Sequence, residues 1–485
     1  MSILELTLLA TKESLIDCYT NRLSIHKLPL EQGIVDQVFI NTWYMLLKGS
    51  KENSYQCFLT FEMISRLAEY LIRMNSYIRK SIVKTYTHVF LDEFQDTTTI
   101  QYELVKTCFY NTKTIVTAVG DSKQRIMLWA GARKTIFEDF LSDFISLKRT
   151  LIMNHRSAPR LVEIQKSMYN RLNEESISIQ TNKKWSEEDG EAYLRMFDSH
   201  LQEAEVLRDE TLTLIKSGVE LRDICILVKQ RVDVYGEEII NQLASINIKA
   251  RNEALYQDLV KEEIIRVLIS MFKLATKKRQ PDAWEYFYDI MSELNGIDIE
   301  SDIKRVTDFT FRINDMLENL KMKLYISEYE QFVEMIDNLV EEISYERFAS
   351  KYQRYQSREY FDDLITEFKE LLWKEFIEVE DWAEAIDNFE GKNSIPIMTI
   401  HKSKGLEFDT IFFVGLEDSA FWNFNNQPDE DRCAFFVALS RAKRRIDFTF
   451  SKNRPAGFSV LQVHRVINEF YKMFEDTGIV ARIDY

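Results

Sequence analysis

Glycine and proline are scarce in this chain, 13 and 6 of 485 residues. So few turn punctuators exclude an all-β architecture of many short strands and point to long helices with short connections. No two glycines stand five positions apart, so the phosphate-binding loop G-x-x-x-x-G-K-[ST] cannot be written anywhere in the chain. That loop needs both glycines, because only glycine lets backbone N–H groups close around the phosphates. Gly391-Lys392-Asn393 comes nearest and has no partner glycine. The five cysteines, Cys18, Cys57, Cys108, Cys225 and Cys433, form no C-x-x-C and no cluster with histidine. A disulfide framework, a zinc site and an iron–sulfur cluster are therefore not expected. No apolar run approaches the roughly 18 uncharged residues of a membrane span. Residues 1–10 are apolar but include Glu5 and lack both a basic start and a small-residue cleavage site, so no secretory signal is read and the cytoplasm is the expected location.

The net charge is −16, which argues against a nucleic-acid partner only if the charge is uniform. It is not uniform. Residues 121–160 hold eight Lys/Arg against four Asp/Glu, and residues 441–454 hold six against one. At 485 residues, two to four domains are expected.

Several short apolar runs end at polar residues: Thr87 to Leu91 before Asp92, Thr114 to Val119 before Gly120, Ile224 to Val228 before Lys229, and Thr410 to Val414 before Gly415. Such runs predict parallel strands buried on both faces, with chemistry beyond their carboxyl ends. Between about 280 and 390 the pattern turns helical, as with Phe287, Ile290, Met291 and Leu294, and glycine occurs before position 390 only at Gly296. The fold class is α/β with a large helical fraction and a helical insertion in its second part.

The densest functional string is Asp92-Glu93-Phe94-Gln95-Asp96, directly after a predicted strand. One carboxylate can hold Mg²⁺ through its waters while its neighbour orients and deprotonates a water, the division of labour that nucleotide hydrolysis needs. A bare acidic pair is more often a solvated turn; the full string after a strand favours the functional reading. The second string is Val119-Gly120-Asp121-Ser122-Lys123-Gln124-Arg125-Ile126-Met127-Leu128-Trp129-Ala130-Gly131-Ala132. Further strings are Asn154-His155-Arg156-Ser157, Thr399-Ile400-His401-Lys402-Ser403-Lys404-Gly405-Leu406-Glu407-Phe408, and Val437-Ala438-Leu439-Ser440-Arg441-Ala442-Lys443.

In this order the strings resemble the motifs of the UvrD/Rep family of superfamily 1 DNA helicases, over about residues 35–450. The resemblance implies two RecA-like parallel-sheet domains of the P-loop NTPase fold with ATP between them. It divides the chain at 1–147, 148–279, a helical insertion at 280–390, and 391–485, with a reduced helical piece at about 50–80. It assigns Asp92 to the metal and Glu93 to the general base. Gln124, Arg156 and Arg441 fall to the γ-phosphate, His155 to adenine in place of the family's tyrosine, and Gly405 and Glu407 to the nucleotide, with Glu407 on the sugar. Trp43 in Phe39-Ile40-Asn41-Thr42-Trp43-Tyr44, Met127, Trp129, Thr399 and His401 fall to the DNA strand. Thr11-Lys12 stands where the family's motif Ia would leave a remnant. Met127 replaces an aromatic residue and Ala130 an arginine, departures that bear on the DNA contact and its coupling to hydrolysis.

The implied activity is ATP- and Mg²⁺-dependent 3′–5′ translocation on single-stranded DNA and at single/double-strand junctions. Repair, recombination and phage defence are the settings, and a nuclease or repair protein is the kind of partner. The absent phosphate loop leaves two readings open. The sequence is a truncated form with impaired hydrolysis, or it is a non-catalytic DNA-binding or scaffolding subunit derived from a helicase.

Overall fold

The computed structural model describes residues 26–30, 37–48, 57, 59–172, 174, 179–298, 303–456 and 459–485. Thr11-Lys12, Cys18 and Gly33 lie outside the described residues. In chain order the elements begin α1 (Gln37–Lys48), α2 (Phe61–Met74), α3 (Ser76–Thr85), β1 (His88–Leu91), α4 (Thr99–Phe109), β2 (Ile115–Ala118), α5 (Ile136–Asp143), β3 (Met153–Asn154), α6 (Pro159–Ser167) and β4 (Gln180–Thr181). They continue β5 (Glu191–Ser199), α7 (His200–Lys216), β6 (Ile224–Val228), α8 (Val232–Ala244) and β7 (Ala250–Asn252). The helical stretch is α9 (Glu263–Thr276), α10 (Pro281–Leu294), α11 (Ile303–Lys323), α12 (Tyr329–Ile343), α13 (Tyr345–Lys351), α14 (Arg358–Val379) and α15 (Trp382–Phe389). The chain closes with β8 (Ile395–Thr399), β9 (Phe408–Val414), α16 (Pro428–Leu439), β10 (Ala442–Ala456), β11 (Ser459–Leu461), α17 (Asn468–Thr477) and β12 (Ala481–Asp484).

Two compact units result. The first comprises Met1–His155, Val162–Lys183 and Asn423–Ser440; the second comprises Arg156–Leu161, Lys184–Trp422 and Arg441–Tyr485. Among the described residues of the first unit, β1 and β2 pair in parallel, His88 with Ile115 through Leu91 with Ala118. Leu91, Val116 and Ala118 pack on a cluster of Phe94, Tyr102, Ile136 and Phe140. The expectation that these two strands are buried on both faces fails: Phe90 is 73% exposed and Ile115 58%. The alternation of exposed and half-buried residues along both strands shows that the described helices cover one face only.

The second unit holds an eight-stranded sheet in the order β12-β5-β10-β9-β6-β8-β7, with β11 paired to β10. Every pairing is parallel except β10 with β11. Here the both-faces expectation holds for the centre. All five residues of β6 are buried, as are six of the seven in β9. Val228 is in register with Thr399 of β8 on one side and Val414 of β9 on the other, so three strand ends lie in one row.

The helices α9 to α15 share one apolar core running from Tyr256 to Phe389. Phe287 and Met291, one turn apart on α10, both point into it, and Pro281 opens that helix where its missing N–H costs nothing. Trp382 anchors the far end. Its ring stacks 3.8 Å from that of Phe376 and 5.1 Å from that of Phe332, and its indole N–H donates to Leu324 O at 2.8 Å. No described helix is long and apolar enough to cross a membrane.

Candidate functional site

In the first unit, the acidic string leaves β1 through a turn that its own sequence builds. Phe94 is fully buried, with its ring edge-on to Phe137 at 5.6 Å and Phe140 at 5.2 Å. That anchor leaves Asp92 and Glu93 exposed, Glu93 in the left-handed region at φ 49°. Glu93 N donates to Asp92 Oδ1 at 2.9 Å. An exposed carboxylate of this kind fits Mg²⁺, which keeps most of its waters and takes one or two protein carboxylates.

Gln95 does what the sequence reading did not foresee. Only 1% exposed, it donates from Nε2 to Glu93 Oε2 at 2.6 Å and accepts at Oε1 from the Asp121 N–H at 3.0 Å. Asp121 in turn accepts from Gln124 Nε2 at 3.1 Å and from Lys123 Nζ at 2.6 Å. One hydrogen-bonded chain therefore runs Glu93–Gln95–Asp121–Gln124, joining the turn after β1 to the turn after β2. Gly120 makes this approach sterically possible, because a Cβ there would collide with Gln95 Oε1 and stand 3.0 Å from Phe94 N. The signal was present in the strings themselves: a buried amide between two carboxylates has both a donor and an acceptor to satisfy.

Trp129 sits on the short 3₁₀ turn Leu128–Ala130 and is 69% exposed. Met127 is half-buried; its carbonyl accepts from Ala130 N and Ala132 N, both at 3.1 Å. Trp43 is 5% exposed and packs with Leu28, Ile40, Met63 and Ile100, so the ring expected in a base-binding pocket serves here as core. His155 is exposed, with Nδ1 3.1 Å from Asn182 Nδ2.

In the second unit, the structure brings Arg156 and Glu407 together across 251 residues, Nε to Oε2 at 2.8 Å. Lys443 Nζ approaches Glu407 Oε1 at 3.0 Å, a partner that sequence reasoning missed. Hydrogen bonds from Arg156 and then Lys443 hold the Glu407 carboxyl below the usual carboxylate range. The neighbouring backbone is fixed to β10: Ser157 Oγ donates to Ala442 O and Ala158 N to Lys443 O, each at 2.8 Å. Gly405 has φ 82° and nothing within 4 Å of a Cβ, so backbone conformation alone calls for glycine there. Arg441 is 2% exposed and donates to Leu406 O at 3.3 Å. Thr399 Oγ1 accepts from Lys402 N at 3.4 Å, and His401 follows it half-buried.

Beyond β9 lies a buried ionic group. Glu203 and Glu417 are fully buried and flank Arg454, itself 2% exposed, with Arg454 Nε 3.3 Å from Glu417 Oε1. Burial pushes the Glu417 carboxyl up to about 7; Arg454 opposes that shift and Glu203 adds to it. Tyr235 caps the group. It lies so close to Gly415 (φ 82°) that a Cβ there would clash with its ring.

The model of the UvrD/REP helicase N-terminal domain matches residues 9–145, and that of the UvrD-like helicase C-terminal domain matches residues 320–453. The chain belongs to the UvrD/Rep helicase family. It is 25% identical over 480 residues to a probable DNA helicase II homolog of Mycoplasma capricolum, covering 88% of this chain and 65% of that protein. It is 23% identical over 456 residues to the ATP-dependent DNA helicase Rep of Buchnera aphidicola, covering 84% and 69%. With the helicase PcrA of Bacillus subtilis the figures are 24% over 477 residues, 87% and 61%. This helicase-family chain thus spans 61–69% of the length of these three relatives.

Proposed function

We propose that the chain is the motor portion of an ATP-dependent DNA helicase that translocates 3′ to 5′ on single-stranded DNA, in repair, recombination or phage defence. The observation that supports this best is the chain Glu93–Gln95–Asp121–Gln124. It ties the acidic pair after β1 to the string after β2, so that a change at either turn is felt at the other. Asp92 would hold Mg²⁺, which would offset charge on the phosphates, and Glu93, hydrogen-bonded by Gln95, orients and deprotonates the attacking water. Gln124, Arg156 and Arg441 act on the γ-phosphate, where positive charge stabilises what develops during phosphoryl transfer. Glu407, kept ionised by Arg156 and Lys443, accepts from the nucleotide's sugar, while Gly405 shapes the same turn and His155 stacks on adenine. Met127, Trp129, Thr399 and His401 line the DNA strand, with Trp129 as the exposed stacking ring.

With no pair of glycines five apart to close around phosphates, hydrolysis by this 485-residue chain is impaired. The same observation, together with Met127 and Ala130 in the string after β2, favours a second reading as a non-catalytic DNA-binding or scaffolding subunit. Measuring oligo(dT) binding and ATP turnover on the same preparation tests the impairment and the DNA reading together. DNA binding with turnover barely raised by DNA is the expected result. Strong DNA-stimulated turnover would overturn the impairment, and absence of DNA binding would overturn the helicase reading.

A further inference from the structure

Two of the seven tryptophans stand largely in water, one in each unit: Trp129 at 69% exposure and Trp422 at 72%. Trp129 has its place in the proposed function; Trp422 does not. An exposed indole is costly in water and useful as a flat stacking surface. Its position is built rather than incidental. The preceding Phe421 is 1% exposed and Ala420 also 1%, so the backbone up to Trp422 is anchored while its own side chain is turned outward.

The anchor comes from the end of β6. Gln230 Nε2 donates to Ala420 O at 3.2 Å, and Lys229 Nζ stands 5.6 Å over the Phe421 ring. Arg231 follows, its side chain 52% exposed and 3.7 Å from Asp233. The register Thr399–Val228–Val414 puts the residues after β8, β6 and β9 side by side. His401, Lys229 to Arg231 and the 415–422 segment thus emerge from one end of the sheet. Cations beside an exposed aromatic ring are the chemistry that tracks a phosphate backbone while stacking its bases without regard to sequence.

We propose that Trp422 is a base-stacking platform of the second unit, with Lys229 and Arg231 supplying charge to the phosphates of the same single strand. The inference rests on the DNA reading above and adds residues to it. Its test is equilibrium binding of fluorescein-labelled oligo(dT) to the full chain, without nucleotide. Trp422→Ala should weaken binding about tenfold or more, whereas Trp422→Phe, which keeps a ring, should recover most of it. Lys229→Ala with Arg231→Ala should flatten the dependence of log affinity on log salt by about 0.7 for each phosphate that is no longer neutralised. Since Trp422 is exposed, thermal unfolding of its variants should match the parent. If the parent binds DNA and Trp422→Ala binds equally well, the platform is refuted and the DNA reading stands. If the parent itself does not bind, both fall together.

Discussion

Replacing Glu417 with glutamine should remove most of the pH dependence of the second unit's stability between pH 5 and 8. Glu417 and Glu203 are fully buried around the single guanidinium of Arg454, so two carboxyl groups share one cation. Burial raises the Glu417 carboxyl from 4.5 to about 7. The folded chain therefore keeps this proton up to about pH 7, while the unfolded chain releases it near 4.5. Unfolding liberates a proton throughout that window, so stability falls as pH rises through it and levels off above the folded value. At 1.36 kcal/mol per unit, the full loss is about 3 kcal/mol. Glutamine cannot ionise and nearly matches the protonated carboxyl in shape. The variant should equal the parent within about 1 kcal/mol at pH 5 and exceed it by up to about 3 kcal/mol at pH 8. Hydrogen exchange of β9 and β10 amides in urea reports this region's own opening. A difference between variant and parent that does not change from pH 5 to 8 would refute the argument.

Gly120→Ala should break the bond between Asp121 N and Gln95, because the added methyl collides with Gln95 Oε1; a drop of about 1–3 kcal/mol in the first unit's stability is expected from urea unfolding. Asp447→Asn should cost about 3–5 kcal/mol, since Asp447 is fully buried and bonds Arg195 Nε and Arg445 Nε, both at 2.7 Å; a small shift in the denaturation midpoint would contradict this. Arg156 and Glu407, in contrast, are partly exposed, and a double-mutant cycle of Arg156→Gln and Glu407→Gln should return a coupling below about 1 kcal/mol in stability. A larger value would mean that the pair is built for folding rather than for binding.

The candidate residues were legible in the sequence because their strings are local. An apolar run followed by polar residues marks a strand end and led to Asp92, Glu93 and Gln124, whereas Arg156, Thr399 and Glu407 came from the resemblance of their strings to the family's motifs. The helical stretch was legible for a similar reason, since Phe287 and Met291 repeat at the helical period and are buried together. Periodicity reports only the near neighbourhood, however. It could not show that the described helices cover β1 and β2 on one face only, because short, mostly apolar runs read alike whether one side or both are covered. Nor could it reveal Gln95 as the link between two turns, Lys443 as the second partner of Glu407, Trp43 as core, or the buried group Glu203, Glu417 and Arg454. Those depend on which residues meet in space, Gln95 and Asp121 across 26 positions and Glu203 and Arg454 across 251, and on how much water the fold removes around them. The sequence by itself determined the family's chemistry and the absence of the glycine pair. The tertiary structure decided which of those groups are exposed, which are paired and which are held protonated, because desolvation and long-range contact exist only in the folded chain.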